Sequence, residues 1–521
     1  MELKQMNKLE KATASGRSDV MRIGYALLFM VGIILYIGTH IEGIDGGFIL
    51  VVAAVVGGYM AMNIGANDVA NNVGPAVGSK ALTLTGAIII AAIFEAAGAI
   101  VAGGDVVSTI SKGIINPEAI GDADTFIWLM LAALLAGALW LNLATYVGAP
   151  VSTTHSIVGG VLGAGIAAGG FGIANWDKMG AIAASWVISP VLGGLIAAGF
   201  LYLIKRTITY KQDMRSAAKK MVPVLIMIMA WAFSTYLALK GVKKIIKLDF
   251  VSAALIGLAI AIATYFIVKA AVGRSADRLD NDKAGVNKLF TIPLIFAAAL
   301  LSFAHGANDV ANAVGPLAAI NDAILNHGVS TKASIPLWVM VIGALGISLG
   351  LALFGPKLIK TVGSEITELD QTRAFSIAMA AAITVIIASQ LGLPVSSTHI
   401  AVGGVFGVGF LREYLKSSHA RMMEEIKSHH QGADQEEVEQ FLASFENATI
   451  EEKGAMLKQL KKKTASAELS KKERKQLKKA YKQELVKRSA VYKIAAAWII
   501  TVPASGTLAA ILFFVIRGVM V

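Results

Sequence analysis

Eleven apolar runs, near 21–38, 46–66, 81–102, 125–147, 181–205, 221–240, 248–272, 288–305, 334–355, 373–393 and 491–516, recur along this 521-residue chain. A helix needs roughly 17 to 25 such residues to cross the hydrocarbon core of a bilayer. In that medium backbone polar groups must be paired within the segment, so runs of this length become helices. Two shorter glycine-rich runs, 150–170 and 394–410, bring the expected number of membrane segments to about 11 to 13. With 55% apolar and 16% charged residues and a mean hydropathy of +0.65, the chain reads as an all-α polytopic membrane protein. Many of its 52 glycines sit inside apolar runs, where close helix packing favours small residues.

The net charge of +12 does not indicate a nucleic-acid partner, because the basic residues concentrate in the loops between apolar runs. That is the positive-inside bias of a multi-pass protein of a bacterial-type cytoplasmic membrane. The absence of cysteine excludes disulfides, thiolate metal sites and a Cys nucleophile. The first 22 residues are basic and no small-residue cleavage site follows the first apolar run, which is expected to remain as a helix.

The chain repeats itself. GANDVANNVGP at Gly65 to Pro75 returns as GANDVANAVGP at Gly306 to Pro316, with ten of eleven positions identical. PVSTTHSIVGGVLGAG at Pro150 to Gly165 returns as PVSSTHIAVGGVFGVG at Pro394 to Gly409, with eleven of sixteen identical. From the first Gly of each GAND to the His of the second motif is 90 residues in one copy and 93 in the other. A weaker echo links WVISPVLGG at 186–194 to WIITVPASG at 498–506, displaced by a polar insert at 411–490 that carries 18 Lys/Arg and 13 Asp/Glu. If the basic segments 1–22, 205–220 and 411–490 share the cytoplasmic side, 150–170 counts as a full crossing and the two GAND helices enter from opposite sides. That is an inverted repeat, in which secondary transporters place their site near the midplane. The short loop with Lys243, Lys244 and Lys247 would then face outward, against the charge rule.

In the first GAND copy Asn67, Asp68, Asn71 and Asn72 share a helix face. With Asn308, Asp309 and Asn312 of the second copy they supply hard oxygen ligands suited to Na⁺, or an acid suited to proton exchange. The Gly before and the Gly-Pro after are expected to break the helix and release backbone carbonyls. Mere hydrogen-bonded helix glue does not require an acid, which costs about 2.5 to 3.5 kcal/mol on insertion scales, at two equivalent places. In the second motif Pro150 and Pro394 are expected in the first turn of a new helix. Ser152, Thr153, Thr154, Ser396, Ser397 and Thr398 then cluster hydroxyls at two helix starts, which attract anions. Some of these hydroxyls are expected to cap their own helices.

Symmetry is broken at Glu95, an acid with no evident counterpart in the second half, and at His305, where the first copy has Ile64. Glu95, His155, His399 and Gln390 are further candidates for coupling or gating. Arg373 is read as an interfacial anchor. A Ser-His hydrolase in the membrane would need one nucleophile with its oxyanion donors, whereas everything here comes twice. No resident zinc site is expected in the apolar segments.

These paired blocks, with FEAAGAIVAGGDVVSTI at 94–110, GPKLIKTVGSEITEL at 355–369 and ASQLGLPVSSTH at 388–399, resemble the inorganic phosphate transporter family, PiT. The resemblance implies an inverted-repeat symporter for phosphate with Na⁺ or H⁺, generally a homodimer, with no cofactor beyond the coupling cation. It implies phosphate at Ser152, Thr153, Thr154, Ser396, Ser397 and Thr398. By the resemblance the cation falls to Asn67, Asp68, Asn308 and Asp309, which Asn71 and Asn312 join on the reading of the helix face, with Na⁺ at Asp68 and Asp309 if sodium is coupled. The same fold could carry sulfate, and an anion channel is the alternative from another class. The expected organisation is a tail and extra helix (1–45), a first transport repeat (46–205), linking helices (206–287) and a second repeat (288–410). A charged cytoplasmic insert open to a cytosolic regulator (411–490) and a final helix (491–521) complete the chain.

Overall fold

The computed structural model describes residues 2–40, 46–149, 151–241, 248–328, 335–365, 369–427 and 488–521. Among the described residues helices dominate, and one isolated bridge joins Ile115 to Ala174. In chain order they are α1 (Glu2–Gly38), α2 (Gly47–Asn67), α3 (Val69–Gly78), α4 (Leu84–Ala102), α5 (Gly104–Lys112), α6 (Ala123–Val147), α7 (Thr153–Gly169) and α8 (Trp176–Ile204). Then follow α9 (Met214–Lys240), α10 (Phe250–Ala276), α11 (Lys283–Leu289), α12 (Thr291–Leu325), α13 (Leu337–Glu365), α14 (Gln371–Gln390), α15 (Ser397–Lys427) and α16 (Arg488–Met520). Eleven described segments are long and apolar enough to cross a bilayer, one for each run read from the sequence.

Many helix starts are marked by polar N-caps at the ends of the bundle. Asp122 accepts from Thr125 N–H, Asn175 from Lys178 N–H, Asp213 from Ser216 N–H, Asp282 from Gly285 N–H and Asp370 from Arg373 N–H. Each satisfies a donor that the first helical turn leaves open. Two caps are unlike the rest: Ser152 and Ser396, which begin α7 and α15, are buried.

Contacts sort the connections onto two faces. On one, Lys112 pairs with Asp322 at 3.0 Å, Asn116 N–H donates to Ile173 O, and Gly46 lies beside Ile324. On the other, Gln371 donates to Ser79 O, Lys283 and Arg373 flank Asp370, and Arg215 N–H donates to Asn281. The second face carries Lys80, Arg206, Lys211, Lys219, Lys220, Arg274 and Arg278 as well, so the charge bias makes it cytoplasmic. The basic 205–220 segment lies there, as the sequence reading requires. The loop with Lys243, Lys244 and Lys247, Pro150 and the insert from 428 to 487 lie outside the described residues.

From these faces α2–α3 and α12 run in opposite directions, and so do the pairs α6–α7 and α14–α15. Each pair is a hairpin that enters from one face, turns in the interior and goes back. The turns match: Gly148 and Gly392 have φ of 74° and 64°, a left-handed conformation that glycine adopts without a Cβ penalty. The segment 150–170 is therefore not the full crossing expected of it. Parity survives because α6 also stops at the turn. Pro394 differs from expectation too, since α15 starts at Ser397, three residues beyond it.

Packing interleaves the halves. α7 lies along α16, the last helix of the chain, and α15 lies along α8. Gly159 and Gly163 face Val502 and Gly506, while Gly403 and Gly407 face Pro190 and Gly194, so helix backbones touch directly. The same exchange recurs at the GAND helices: α2–α3 pack on α13, and α12 on α4. Gly65 lies against the backbone of Ile347, and Gly306 against that of Glu95. These symmetric pairings are those of inverted repeats. They also correct the reason for the GAND glycines, which permit close crossing rather than a break. α12 runs without interruption through Asn308, Asp309 and Pro316, and the first copy is interrupted only at Asp68.

Candidate functional site

The turns of both hairpins meet midway along α12, around its Asn308-Asp309 pair, and at the α2–α3 junction. Asn67 donates to Thr145 Oγ1 at 2.9 Å and to Ala149 O at 3.2 Å. Asn308 repeats this with Ser389 Oγ at 3.1 Å and Leu393 O at 3.2 Å. Each GAND asparagine thus holds the hairpin of its own half by the tip. Asn67 Oδ1 additionally accepts from Val151 N–H.

The next turn of each GAND helix reaches the opposite half. Asn71 donates to Thr398 Oγ1 at 2.8 Å, and Asn312 to Thr154 Oγ1 at 3.2 Å and Thr153 Oγ1 at 3.1 Å. The two acids lie between. Asp68 accepts from Thr153 at 2.6 Å and from Thr398 at 2.9 Å, and Asp309 accepts from Ser397 at 3.1 Å. All six hydroxyl candidates, both acids and all five asparagines singled out from sequence are at most 2% exposed. Hydroxyls and carboxylates therefore form one network rather than separate regions.

Ser152 and Ser396 take the role of caps, accepting from His155 N–H at 3.1 Å and His399 N–H at 3.3 Å. Their own carbonyls take the N–H groups of Ser156 and Ile400. The first helical residues, Thr153 and Thr154 in α7 and Ser397 and Thr398 in α15, precede any intrahelical acceptor. Two positive helix ends thus converge on buried hydroxyls, a setting for an anion.

A second chemistry lies beside it. Among the described residues, Asn71 Oδ1, Asn308 Oδ1, Asn312 Oδ1 and Asp309 Oδ1 are buried and lack a hydrogen-bond partner. An unmatched buried oxygen is costly, and four together suit a hard cation that takes oxygen ligands. Asp68, His305 and Asp309 can each bring one ligand atom within 4.8 Å of the others.

Glu95 and His305, the two places where symmetry fails, belong together. Glu95 accepts from Asn72 at 2.7 Å and lies 2.7 Å from His305 Nδ1, while His305 Nε2 lies 2.8 Å from Asp309. This chain is wholly buried and joins α4 to both GAND helices. Replacing His305 by isoleucine, the residue at the equivalent position 64, is expected to lower uptake and the melting temperature together, because it strips one partner from each of two buried carboxylates at a cost of about 3 kcal/mol. Uptake assays and a thermal scan on the same preparation test this.

His155 and His399 stack edge to face with centroids 4.4 Å apart, and His155 packs on Trp186 at 3.8 Å. They sit behind the helix starts. Gln390 is exposed and stands apart from the cluster; its neighbour Ser389 makes the contact to Asn308. Thr145 and Ser389 were not singled out from sequence. Their signal was there, since both precede the motif proline by five residues.

Opposed hairpins that bring buried carboxylates, amides and hydroxyls together between two antiparallel helices are the architecture of a secondary transporter. The profile of the Phosphate transporter family matches residues 64–509. The chain is 55% identical over 523 residues to a Helicobacter pylori protein described as "Putative phosphate permease", covering 98% of each. A Pyrococcus furiosus protein of the same description is 40% identical over 365 residues, covering 70% of this chain and 88% of the other. Among solved structures, one described as "The sodium-dependent phosphate transporter" superposes with a TM-score of 0.74 at 32% identity, covering 91% of this chain and all of that one. The chain belongs to the Phosphate transporter family, and it is a transporter rather than a hydrolase.

Proposed function

We propose that the protein is a secondary active symporter that imports inorganic phosphate across the cytoplasmic membrane with a cation. The observation that carries this reading is the joining, in one buried cluster, of two converging helix starts with four unmatched oxygens. The helix starts with Thr153, Thr154, Ser397 and Thr398 take the anion. Asp68, Asp309 and the oxygens of Asn71, Asn308 and Asn312 take the cation, and Asn67 positions the first hairpin. Because the acids also accept from the anion-side hydroxyls, loading one ligand changes the bonds open to the other. That is a direct physical basis for coupling.

Sodium is the favoured cation, because the unmatched groups are oxygens and three of them are amides that carry no titratable proton. ³²P-phosphate uptake into proteoliposomes, with Na⁺ and pH gradients varied independently and unlabelled sulfate as competitor, tests cation and substrate together. Uphill accumulation driven by Na⁺ is expected, and its absence under either gradient would leave the channel reading. Thr153→Ala and Ser397→Ala are each expected to lower uptake about tenfold or more, since each removes a hydrogen bond to a charged group, worth about 1.5 to 3 kcal/mol. The homodimer and a cytosolic regulator at 411–490 form part of this proposal, and a single-copy mass in native mass spectrometry would remove the former.

A further inference from the structure

Between the cytoplasmic ends of α8 and α9 the chain makes a π-helical turn at Lys205–Thr209, and a pocket of about 770 Å³ opens beside it. Its wall is divided. Tyr202, Leu203 and Met221 continue the apolar surface of the two helices, while Arg206, Lys211 and Lys220 bring three cations to the rim. Asp213 is the one acid in the lining, and its carboxylate is committed to the α9 N-cap. Hydrogen bonds from the Ser216 hydroxyl and N–H hold that carboxyl below the usual range, so it stays an acceptor for them.

The neighbouring charges do not neutralise the rim. Lys219 pairs with Asp277, and Arg215 reaches Leu279 O and, through its N–H, Asn281. Lys205 lies over the Tyr210 ring, 5.9 Å from its centroid, rather than in the pocket. Arg206, Lys211 and Lys220 are all exposed. The pocket therefore joins a hydrocarbon-facing wall to a threefold positive rim at the depth where headgroups lie.

We infer that this pocket binds the headgroup of an anionic phospholipid, with the phosphodiester on Arg206, Lys211 and Lys220 and an acyl chain along Tyr202, Leu203 and Met221. Basic pockets between helices on the cytoplasmic side have the charge and depth for such a headgroup. A free phosphate would use the same cations but leave the apolar wall unused, and that difference selects the lipid. The position also carries a consequence for transport, because α8 packs along hairpin helix α15. A lipid held here braces the helix on which the second hairpin rests.

The test uses the full-length protein in nanodiscs of phosphatidylcholine containing graded phosphatidylglycerol, with bound lipid counted by native mass spectrometry after release. Wild type is expected to retain phosphatidylglycerol saturably. The triple variant Arg206→Gln, Lys211→Gln, Lys220→Gln is expected to bind it roughly 100-fold more weakly, from about 1 kcal/mol per basic residue near the surface. A control triple on the same face, Arg274→Gln, Arg278→Gln, Lys288→Gln, removes equal charge outside the pocket. Equal loss in both triples would overturn the proposal, leaving only diffuse attraction. Retention unchanged in the pocket triple would also overturn it, as would displacement of the lipid by millimolar inorganic phosphate, which would assign the pocket to the free ion. Single Lys220→Gln, expected to fold as wild type because the side chain is exposed, repeats the comparison if the triple is poorly expressed. None of these residues belongs to the transport site, so failure here leaves the symporter reading intact.

Discussion

Asp68→Asn and Asp309→Asn are each expected to reduce cation-driven phosphate uptake to the level of protein-free vesicles while the amount of inserted protein stays near that of wild type. The exchange keeps side-chain volume, so packing is hardly disturbed. What changes is charge and hydrogen-bond sense. Asp68 accepts from two hydroxyls, Thr153 and Thr398, one from each hairpin, and an amide in its place turns one acceptor into a donor facing a donor. Asp309 contributes an unmatched oxygen, as Asn308 and Asn312 do, and the exchange would take from the proposed cation site its one charged oxygen donor among these three. A buried charge-assisted interaction of this kind is worth several kcal/mol, enough for a fall of about 100-fold or more. Wild-type uptake by either variant would remove that acid from the ion site. Filter-binding uptake, normalised to protein by immunoblot, decides it.

Gly306→Ala is expected to have a large effect on stability for so conservative an exchange. Its new Cβ would meet the Glu95 carbonyl, which is backbone and cannot rotate away. Overpacking typically costs 1 to 3 kcal/mol, and a contact between two helix backbones falls at about the upper limit. The damage would not stay local, since moving α4 also moves Glu95 from His305. Gly24→Ala is the matched control, because nothing lies within 4 Å of its added methyl. The expected result is a clear fall in melting temperature and in monodisperse yield for Gly306→Ala and none for Gly24→Ala. Equal behaviour would show that α4 and α12 can separate without loss.

Much of this architecture was legible because duplication works as an internal control. Charges on 1–22 and 205–220 set the direction of the halves, and equal spacing tied each GAND block to a PVS block. Why the glycines are there was not legible, since a glycine that opens a helix and one that admits a neighbouring backbone look alike in one dimension. Gln390 stands out in the sequence for a similar reason: polarity ranks an amide above a hydroxyl, but helix phase turns position 390 outward and 389 toward Asn308. Equal offsets from the motif prolines, with Thr145 at the same place, point to Ser389 instead. The Glu95 to His305 contact escaped because 210 residues separate its partners and neither has a copy in the other half. Alternation between repeats reveals what is shared, and it is silent about what is unique.

The exchange of helices between hairpins has a consequence for how such a chain comes into being. During synthesis α6 and α7 emerge long before α16, the helix that completes their packing, so the first hairpin must wait for a much later stretch of the polypeptide. Neither half is a subunit in its own right. A protein cut between α10 and α11 would be expected to regain its shape only when both fragments are made in the same membrane, each supplying the missing wall of the other.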